Sequence, residues 1–258
     1  MNEFVRKMYW LLSNQLGFDP RRLFRSLRGI PKYTADWLRF RKTYEGELRF
    51  FPCLTDWHEE GGSTNNEYFW QDLHVARKVF AASPLRHVDI GSRVDGFVAH
   101  IASFREIEVF DIRPVTASIP GVVFTQADLM GTSEAKHGYC DSLSCLHALE
   151  HFGLGRYGDP INPLGHRDGL SNMAKILRQG GVFYLSVPIG LARVEFNAHR
   201  VFDPRALAGL AAGMGLVLRE FAWKEPGQPL KLSSDLQKDL SELGKRPYAL
   251  GIFTFVKQ

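Results

Sequence analysis

The sequence predicts a doubly wound α/β protein built on a mainly parallel sheet. Two observations predict it. From residue 67 onward, short apolar runs alternate with segments whose apolar residues recur at helical spacing. The chain also has 258 residues, 45% hydrophobic and 23% charged, enough for one large globular domain or a domain with an appendage. Strands that alternate with helices give a parallel sheet covered on both faces.

Each element follows from a local pattern. Residues 1–50 read as helical, with breaks at Gly17–Pro20 and Gly29–Pro31. Met8, Leu11 and Leu12 form one short apolar face there, and Trp37 and Phe40 another. Pro52, Gly61, Gly62 and Asn65–Asn66 mark a loop. The chain therefore divides into a helical extension with its loop, 1–66, and an α/β domain, 67–258. Phe69, Leu73, Ala76 and Phe80 recur as a helix face, and Ser83–Pro84 ends that helix. A strand at His87–Ile90 and a helix marked by Phe97, Ile101 and Phe104 follow. Further strands are expected at Ile107–Phe110, Val122–Phe124 and Ser142–Cys145. Leu170, Ala174 and Leu177 mark a helix stopped by Gly180–Gly181, and Val182–Val187 is a strand ending at Pro188. Asp203–Pro204 has the cap and first-turn residues of a helix start. That helix ends near Gly215, before strands at Leu216–Phe221 and Ala249–Val256.

Composition narrows the class. Cys53, Cys140 and Cys145 are odd in number and form no Cys-x-x-Cys pair, against a disulfide framework or a zinc ribbon. A reducing compartment is the simpler expectation, and no apolar run spans a bilayer. No N-terminal stretch has the order of a signal peptide. The expected location is cytoplasmic. The net charge of +4 is uneven: residues 1–50 carry 11 Lys and Arg against 5 Asp and Glu. Such an arm is either a solvated helical face or a peripheral contact with an anionic membrane surface.

Ligands of open α/β sheets bind outside the carboxyl ends of the strands. After the first strand comes Val88-Asp-Ile-Gly-Ser-Arg-Val-Asp-Gly96, where Gly91, Ser92 and Gly96 shape a turn that lets backbone approach a ligand. The second strand ends in Asp111, followed by Ile112. A carboxylate there can accept from both ribose hydroxyls. After the third, Asp128 can accept from an adenine amino group while Leu129 covers the ring. This ordered set resembles the class I S-adenosylmethionine-dependent methyltransferases. The resemblance implies a seven-stranded sheet with a strand pair at its end, S-adenosylmethionine as cofactor, and Asp89, Asp111 and Asp128 on its amine, ribose and adenine sides. Many members of that class have glycine where this chain has Arg93, which can pair instead with the methionyl carboxylate. Gly91-x-Arg93-x-x-Gly96 is also a dinucleotide fingerprint without its middle glycine, which weakens a nicotinamide oxidoreductase.

The acceptor side is expected after the fourth and fifth strands. Leu146-His-Ala-Leu-Glu-His151 puts His147 and His151 four apart, on one face if helical, with Glu150 beside them. His147 is assigned to the cofactor side. The glycine-rich stretch Gly153–Gly165 is longer than a connection needs, and it carries Arg156, Tyr157 and Asp159 as acceptor-binding candidates. Glu195-Phe-Asn-Ala-His-Arg200 adds Asn197, His199 and Arg200. Methyl transfer to a hydroxyl needs a base, and histidine suits this near neutral pH. His151 and His199 are both candidates, with Glu150 to orient or balance the imidazole. The order His147-x-x-Glu150-His151 occurs in inverted zinc peptidases, but its place after a strand of a nucleoside-binding sheet favours methyl transfer. No histidine pair has diagnostic zinc spacing, so no metal is assigned.

Asp-Ile-Gly-Ser-Arg at 89–93, the run 146–159 and Phe-Asn-Ala-His-Arg at 196–200 together resemble a family of methyltransferase-like proteins of unknown function. That resemblance runs from about residue 67 to 205. Its members are associated with bacterial surface-polysaccharide synthesis, which implies a sugar hydroxyl as acceptor. The competing expectation is a non-catalytic scaffold that keeps the fold. Nucleic acid is not expected as a partner, because no Asn-Pro-Pro-Tyr-like segment follows the fourth strand.

Overall fold

The computed structural model describes residues 3–59, 61–62, 64–131 and 137–258. Residues 1–2 of the basic arm, and positions 60 and 63 of the loop expected at 51–66, lie outside them. Met1–Ser63 and Thr64–Gln258 form two compact units.

The first unit holds α1 (Glu3–Trp10), a π turn at Leu11–Gln15 and α2 (Pro20–Arg41). The break expected at Gly17–Pro20 is present. Asp19 caps α2 by accepting from the backbone N–H of Arg21 and Arg22, with Pro20 in the first turn. The break expected at Gly29–Pro31 is absent, and α2 runs straight through both residues. Gly29 is there for packing: a Cβ would sit 2.2 Å from the carbonyl oxygen of Leu54. The returning segment is also held by Tyr33, edge-on to Phe50 at 5.1 Å.

The second unit centres on an eight-stranded sheet of order β3-β2-β1-β4-β5-β10-β8-β9. Its strands are β1 (His87–Ile90), β2 (Ile107–Asp111), β3 (Val122–Gln126), β4 (Cys140–Leu146), β5 (Leu177–Ile189), β8 (Leu216–Lys224), β9 (Lys231–Leu232) and β10 (Ala249–Lys257). β6 (Arg193–Glu195) and β7 (His199–Val201) form a separate hairpin. The first five sheet strands pair in parallel, whereas β10 runs antiparallel to both β5 and β8. The helices are α3 (Glu67–Ala82), α4 (Ala99–Ala102), α5 (Gly165–Ile176), α6 (Pro204–Ala212) and α7 (Leu236–Leu243). Val75 and Val79 of α3 and Ile101 of α4 pack one core, and Leu170 of α5, Leu207 of α6 and Leu240 of α7 pack the other. The sheet is thus covered on both faces, as expected. The edge strand β9, the hairpin and α7 had no expectation.

Several local expectations are corrected. α3 buries Gln71, Asp72, Val75, Ala76 and Val79, while Phe69, Leu73 and Phe80 are exposed. The polar residues at 71 and 72 hid the true face, because Gln71 is buried to accept a hydrogen bond from Ser186 Oγ. The helix marked by Phe97, Ile101 and Phe104 is a π turn, Val94–Val98, followed by the single turn of α4, and it stops before Phe104. α5 ends at Ile176, and Gly180–Gly181 lies inside β5 beside a bulge opposite Cys140 and Ser142. β5 also continues past Pro188, whose carbonyl accepts from the N–H of Phe202.

Residues 152–164 are pinned. Arg200 donates to the carbonyls of Phe152 (2.5 Å), Pro163 (3.3 Å) and Glu150 (3.4 Å). Gly153 has φ +76°, and a Cβ there would lie 2.0 Å from the Asn162 carbonyl oxygen. Gly153→Ala combines left-handed strain with a backbone clash, and its expected cost is about 3 kcal/mol. Chemical denaturation of the variant measures this; a loss below a few tenths of that figure refutes the pinned loop.

Candidate functional site

Burial of Asp89 organises the carboxyl edge of the sheet. Its carboxylate accepts from Ser92 N–H (3.0 Å), Ser92 Oγ (2.6 Å) and Ser144 Oγ. Ser92 Oγ in turn accepts from Leu146 N–H at 3.1 Å, so one serine joins the β1 turn to the end of β4. Burial pushes the Asp89 carboxyl up to about 6 against these hydrogen bonds. Gly91 then turns with φ +69°, and a Cβ there would come within 2.9 Å of Ala148 Cβ. Only glycine takes this conformation without strain.

Two adjoining cavities open over this edge. The larger, about 530 Å³, is lined on one side by Gly91, Ser92, Arg93 and Asp111, and on the other by His147, Glu150, His199 and Tyr248. Its size is typical of a small-molecule site. The smaller, about 40 Å³, is an apolar slot between Ile112, Ala127 and Leu129, with Asp128 at its edge. Gly91, Asp111, Arg113, Ala148 and His151 line both.

Arg113 engages Asp111 through Nε at 3.0 and 3.2 Å and Nη2 at 2.5 Å, and lies over the Tyr157 ring at 4.6 Å. Arg93 pairs with Asp95 through two hydrogen bonds, 3.0 and 2.6 Å, and that carboxylate raises its pKa. Gly96 lies away from both cavities, and a Cβ there would meet Asp72 Oδ2 at 2.6 Å. That contact gives Gly96 a packing role.

The opposite wall is a charged network. His147 and His151 do not share a helix face. His147 has φ +53°, and only the 3-10 turn Leu149–His151 follows it. Left-handed backbone at a non-glycine residue stores strain, which collects at functional sites. His147 Nδ1 bonds Glu150 Oε1 at 2.7 Å, and its Nε2 lies 3.6 Å from Glu67 Oε1. Burial opposes the His147 charge, but Glu150 and then Glu67 outweigh it and raise its pKa. Burial likewise opposes the Glu150 charge, but His147 outweighs it and the carboxyl titrates below its ordinary value. His147 and Glu150 thus form a buried pair in which each favours the charged form of the other.

His151 differs. Its Nδ1 lies 2.6 Å from the Ala198 carbonyl oxygen, which can only accept, so Nδ1 carries the proton and Nε2 keeps its lone pair. Burial lowers its pKa, as it does that of His199, which lines the larger cavity from β7. Arg156 donates to the same Ala198 carbonyl at 2.9 Å and also lines the larger cavity. Tyr157 meets the His151 ring edge-on at 5.3 Å.

Three residues expected on the acceptor side have other employment. Asp159 accepts from Gly155 and Tyr157 N–H and so folds its own loop, although it reaches the smaller cavity. Arg200 is a buried clamp on backbone carbonyls. Asn197 forms the hairpin turn with φ +61°. Conversely, the sequence reading missed Glu67, Tyr68, Arg113 and Tyr248, all lining the larger cavity. Tyr248 donates to both Glu67 oxygens, at 2.8 and 2.9 Å. Arg113, two residues past the ribose-side acid, had a legible signal. Tyr248 had none, because it lies far beyond the last motif, which ends at Arg200.

This sheet, with its reversed last strand and a cleft over its carboxyl edge, is the Rossmann-like fold of the class I methyltransferases. Similar solved structures include the 1,6-didemethyltoxoflavin-N1-methyltransferase of Burkholderia thailandensis, with bound 1,6-didemethyltoxoflavin and S-adenosylhomocysteine. It is 15% identical, the match covering 93% of this chain and 91% of that one, with a TM-score of 0.51. The N-methyltransferase NodS of Bradyrhizobium japonicum WM9, in complex with S-adenosylhomocysteine, is also 15% identical, over 75% of this chain and 89% of that one, with a TM-score of 0.50. Within that fold, the chain belongs to the family described as Caenorhabditis protein of unknown function, DUF268, whose model matches residues 123–252. The matched segment starts and ends later than the 67–205 expected; it contains His147, Glu150, His151, His199 and Tyr248 but not Glu67, Asp89 or Asp111. No curated protein matches the chain.

The His147–Glu150 pair makes a pH-dependent contribution to stability. The raised His147 pKa stabilises fully below its unfolded value near 6.5 and ceases to do so as pH rises through the folded value. The lowered Glu150 pKa stabilises above its unfolded value near 4.5 and ceases to do so as pH falls through the folded value. Glu150→Gln leaves the buried His147 ring with only Glu67, at 3.6 Å, as a carboxylate partner, and the expected loss is about 3 kcal/mol near pH 6. Melting temperatures across pH 4–9 check this; wild type and variant running parallel would show that the pair carries no linkage.

Proposed function

We propose that the protein is an S-adenosylmethionine-dependent methyltransferase acting on a hydroxyl group, with a saccharide as acceptor. The observation that carries this is the position of His151. It lines both the apolar slot and the polar cleft, with its Nδ1–H turned to the Ala198 carbonyl. The site suits the cofactor in shape and chemistry: the Gly91 turn leaves room for a ligand against the backbone, Asp111 faces the ribose position, and Asp128 with Leu129 edges an adenine slot. When bound, that cofactor supplies an electrophilic methyl group on a cationic sulfur.

His151 takes the acceptor proton at Nε2 as the carbon–oxygen bond forms and the carbon–sulfur bond breaks. The proton is held on the imidazole, 3.6 Å from a Glu150 Oε1 that His147 engages at 2.7 Å. His199 is placed to hold the acceptor from β7. Glu67, Arg156, Tyr157 and Tyr248 offer donors and acceptors suited to a polyol. The sugar and its place in polysaccharide synthesis rest on the polar lining and on the sequence resemblance.

Calorimetric titration tests the cofactor. S-adenosylmethionine and S-adenosylhomocysteine are expected to bind and NAD to remain silent. Asp111→Ala is expected to weaken binding at least tenfold, through the loss of two hydrogen bonds. Silence with all three ligands would favour a non-catalytic scaffold instead.

A methyl-transfer assay over a panel of sugars tests the base. His151→Ala is expected to lower kcat by about 10²–10⁴ with cofactor affinity unchanged. The base must be unprotonated, so wild-type activity falls on acidification through a pKa below 6.5. An acid limb that persists in His151→Ala would transfer the role to His199.

A further inference from the structure

We propose that α2 is an in-plane anchor that binds the surface of an anionic lipid bilayer. The helix of residues 20–41 carries seven cations, Arg21, Arg22, Arg25, Arg28, Lys32, Arg39 and Arg41, against one acid, Asp36. At 100° per residue, Leu23, Leu27, Ile30, Pro31 and Leu38 fall within one quadrant or so, and Arg21, Arg25, Arg28, Lys32 and Arg39 gather on the opposite side.

The structure separates the covered side from the open one. Gly29 and Tyr33 share the side that meets Leu54 and Phe50 within this unit. The apolar quadrant is not that side. Leu23, Leu27, Ile30 and Leu38 are exposed, Leu27 by 55%, and Phe24 at their border by 56%. A row of large exposed apolar side chains marks an interaction surface.

Charge identifies the occupant. A second copy of this helix would bring six net positive charges against six. A membrane carrying anionic headgroups relieves both features, taking the apolar quadrant into its acyl boundary and the cations at its headgroups. Arg28 and Arg41 lie over the Phe24 and Trp37 rings, at 4.3 and 5.0 Å. An aromatic body with a cationic head beside it is the arrangement that residues at a bilayer interface adopt.

The test is flotation of the full chain with vesicles of phosphatidylcholine alone and of phosphatidylcholine with phosphatidylserine. Binding is expected only to the anionic vesicles, weakening as salt rises. Arg25→Gln with Arg28→Gln should weaken it about 25-fold, at roughly fivefold per cation. Leu27→Asp with Leu38→Asp should abolish it while circular dichroism stays unchanged. Absence of binding to anionic vesicles overturns the proposal. So does equal binding to neutral vesicles, or a concentration-dependent dimer that the Leu27→Asp and Leu38→Asp changes dissolve, since the quadrant would then belong to another copy.

Discussion

A carboxylate buried at the end of β1 sets the geometry of the whole carboxyl edge. Asp89 lies in the sheet interior, where a charge without partners is expensive. Its needs are met by the turn that follows and by β4 beside it, through Ser92 and Ser144. Once Ser92 also holds the Leu146 N–H, the end of β4 cannot shift relative to β1. The floor of the cleft, Gly91, and the start of its charged wall, His147, are thereby fixed to one another. His147 N–H then bonds the Ser186 carbonyl at 2.8 Å, which adds β5 to the same frame. Ser186 Oγ donates to Gln71, so the frame extends to α3 on one face of the sheet.

That frame explains why two histidines four residues apart do different work. Glu150 Oε1 is 2.7 Å from His147 and 3.6 Å from His151. One carboxylate cannot hold two imidazolium ions equally in a buried site. The closer ring, also facing Glu67, has its pKa raised against the effect of burial. The other donates its Nδ1–H to a backbone carbonyl, and burial lowers its pKa. Histidines with pKa values driven apart by their surroundings are the usual mark of divided roles. The division depends on the hairpin, since Ala198 at its turn supplies the carbonyl that selects the tautomer. Arg156 shares that carbonyl, so the 152–164 loop and the hairpin close over His151 together.

The sheet was legible because its signal is local. Val88, Val109, Leu143 and Leu185 are buried strand residues within short apolar runs, and a run needs no partner to be read. Strand ends follow from the same runs, so Asp111 and Asp128 could be placed at the edge by counting. Side-chain employment is not local. Arg200 and Asp159 look like acceptor ligands in a polar run, and only folding shows that backbone carbonyls and N–H groups consume them. The face of α3 was misread for a related reason. Its buried stripe includes Gln71 and Asp72, which hydrophobic periodicity counts as solvent-facing. Glu67 and Tyr248 meet across 181 residues, a distance that no motif spans.

Arg113 gives the site its one internal conflict. The acid best placed for ribose already holds a guanidinium in two-point contact, and that guanidinium also rests on Tyr157. Ribose hydroxyls and Arg113 compete for the same lone pairs, so a nucleoside that uses Asp111 must displace at least part of this contact. Such displacement is affordable because Arg113 is partly exposed, and its charge can be rehydrated as it leaves. Tyr157 would keep only Arg156, 5.2 Å from its ring centroid, as cationic cover. It also meets the edge of the His151 ring, so a ligand entering the slot would be felt at His151 through one aromatic contact. The cleft's two halves are therefore linked physically as well as adjacent: Asp111 reaches His151 through an arginine and a tyrosine, both from segments outside the sheet.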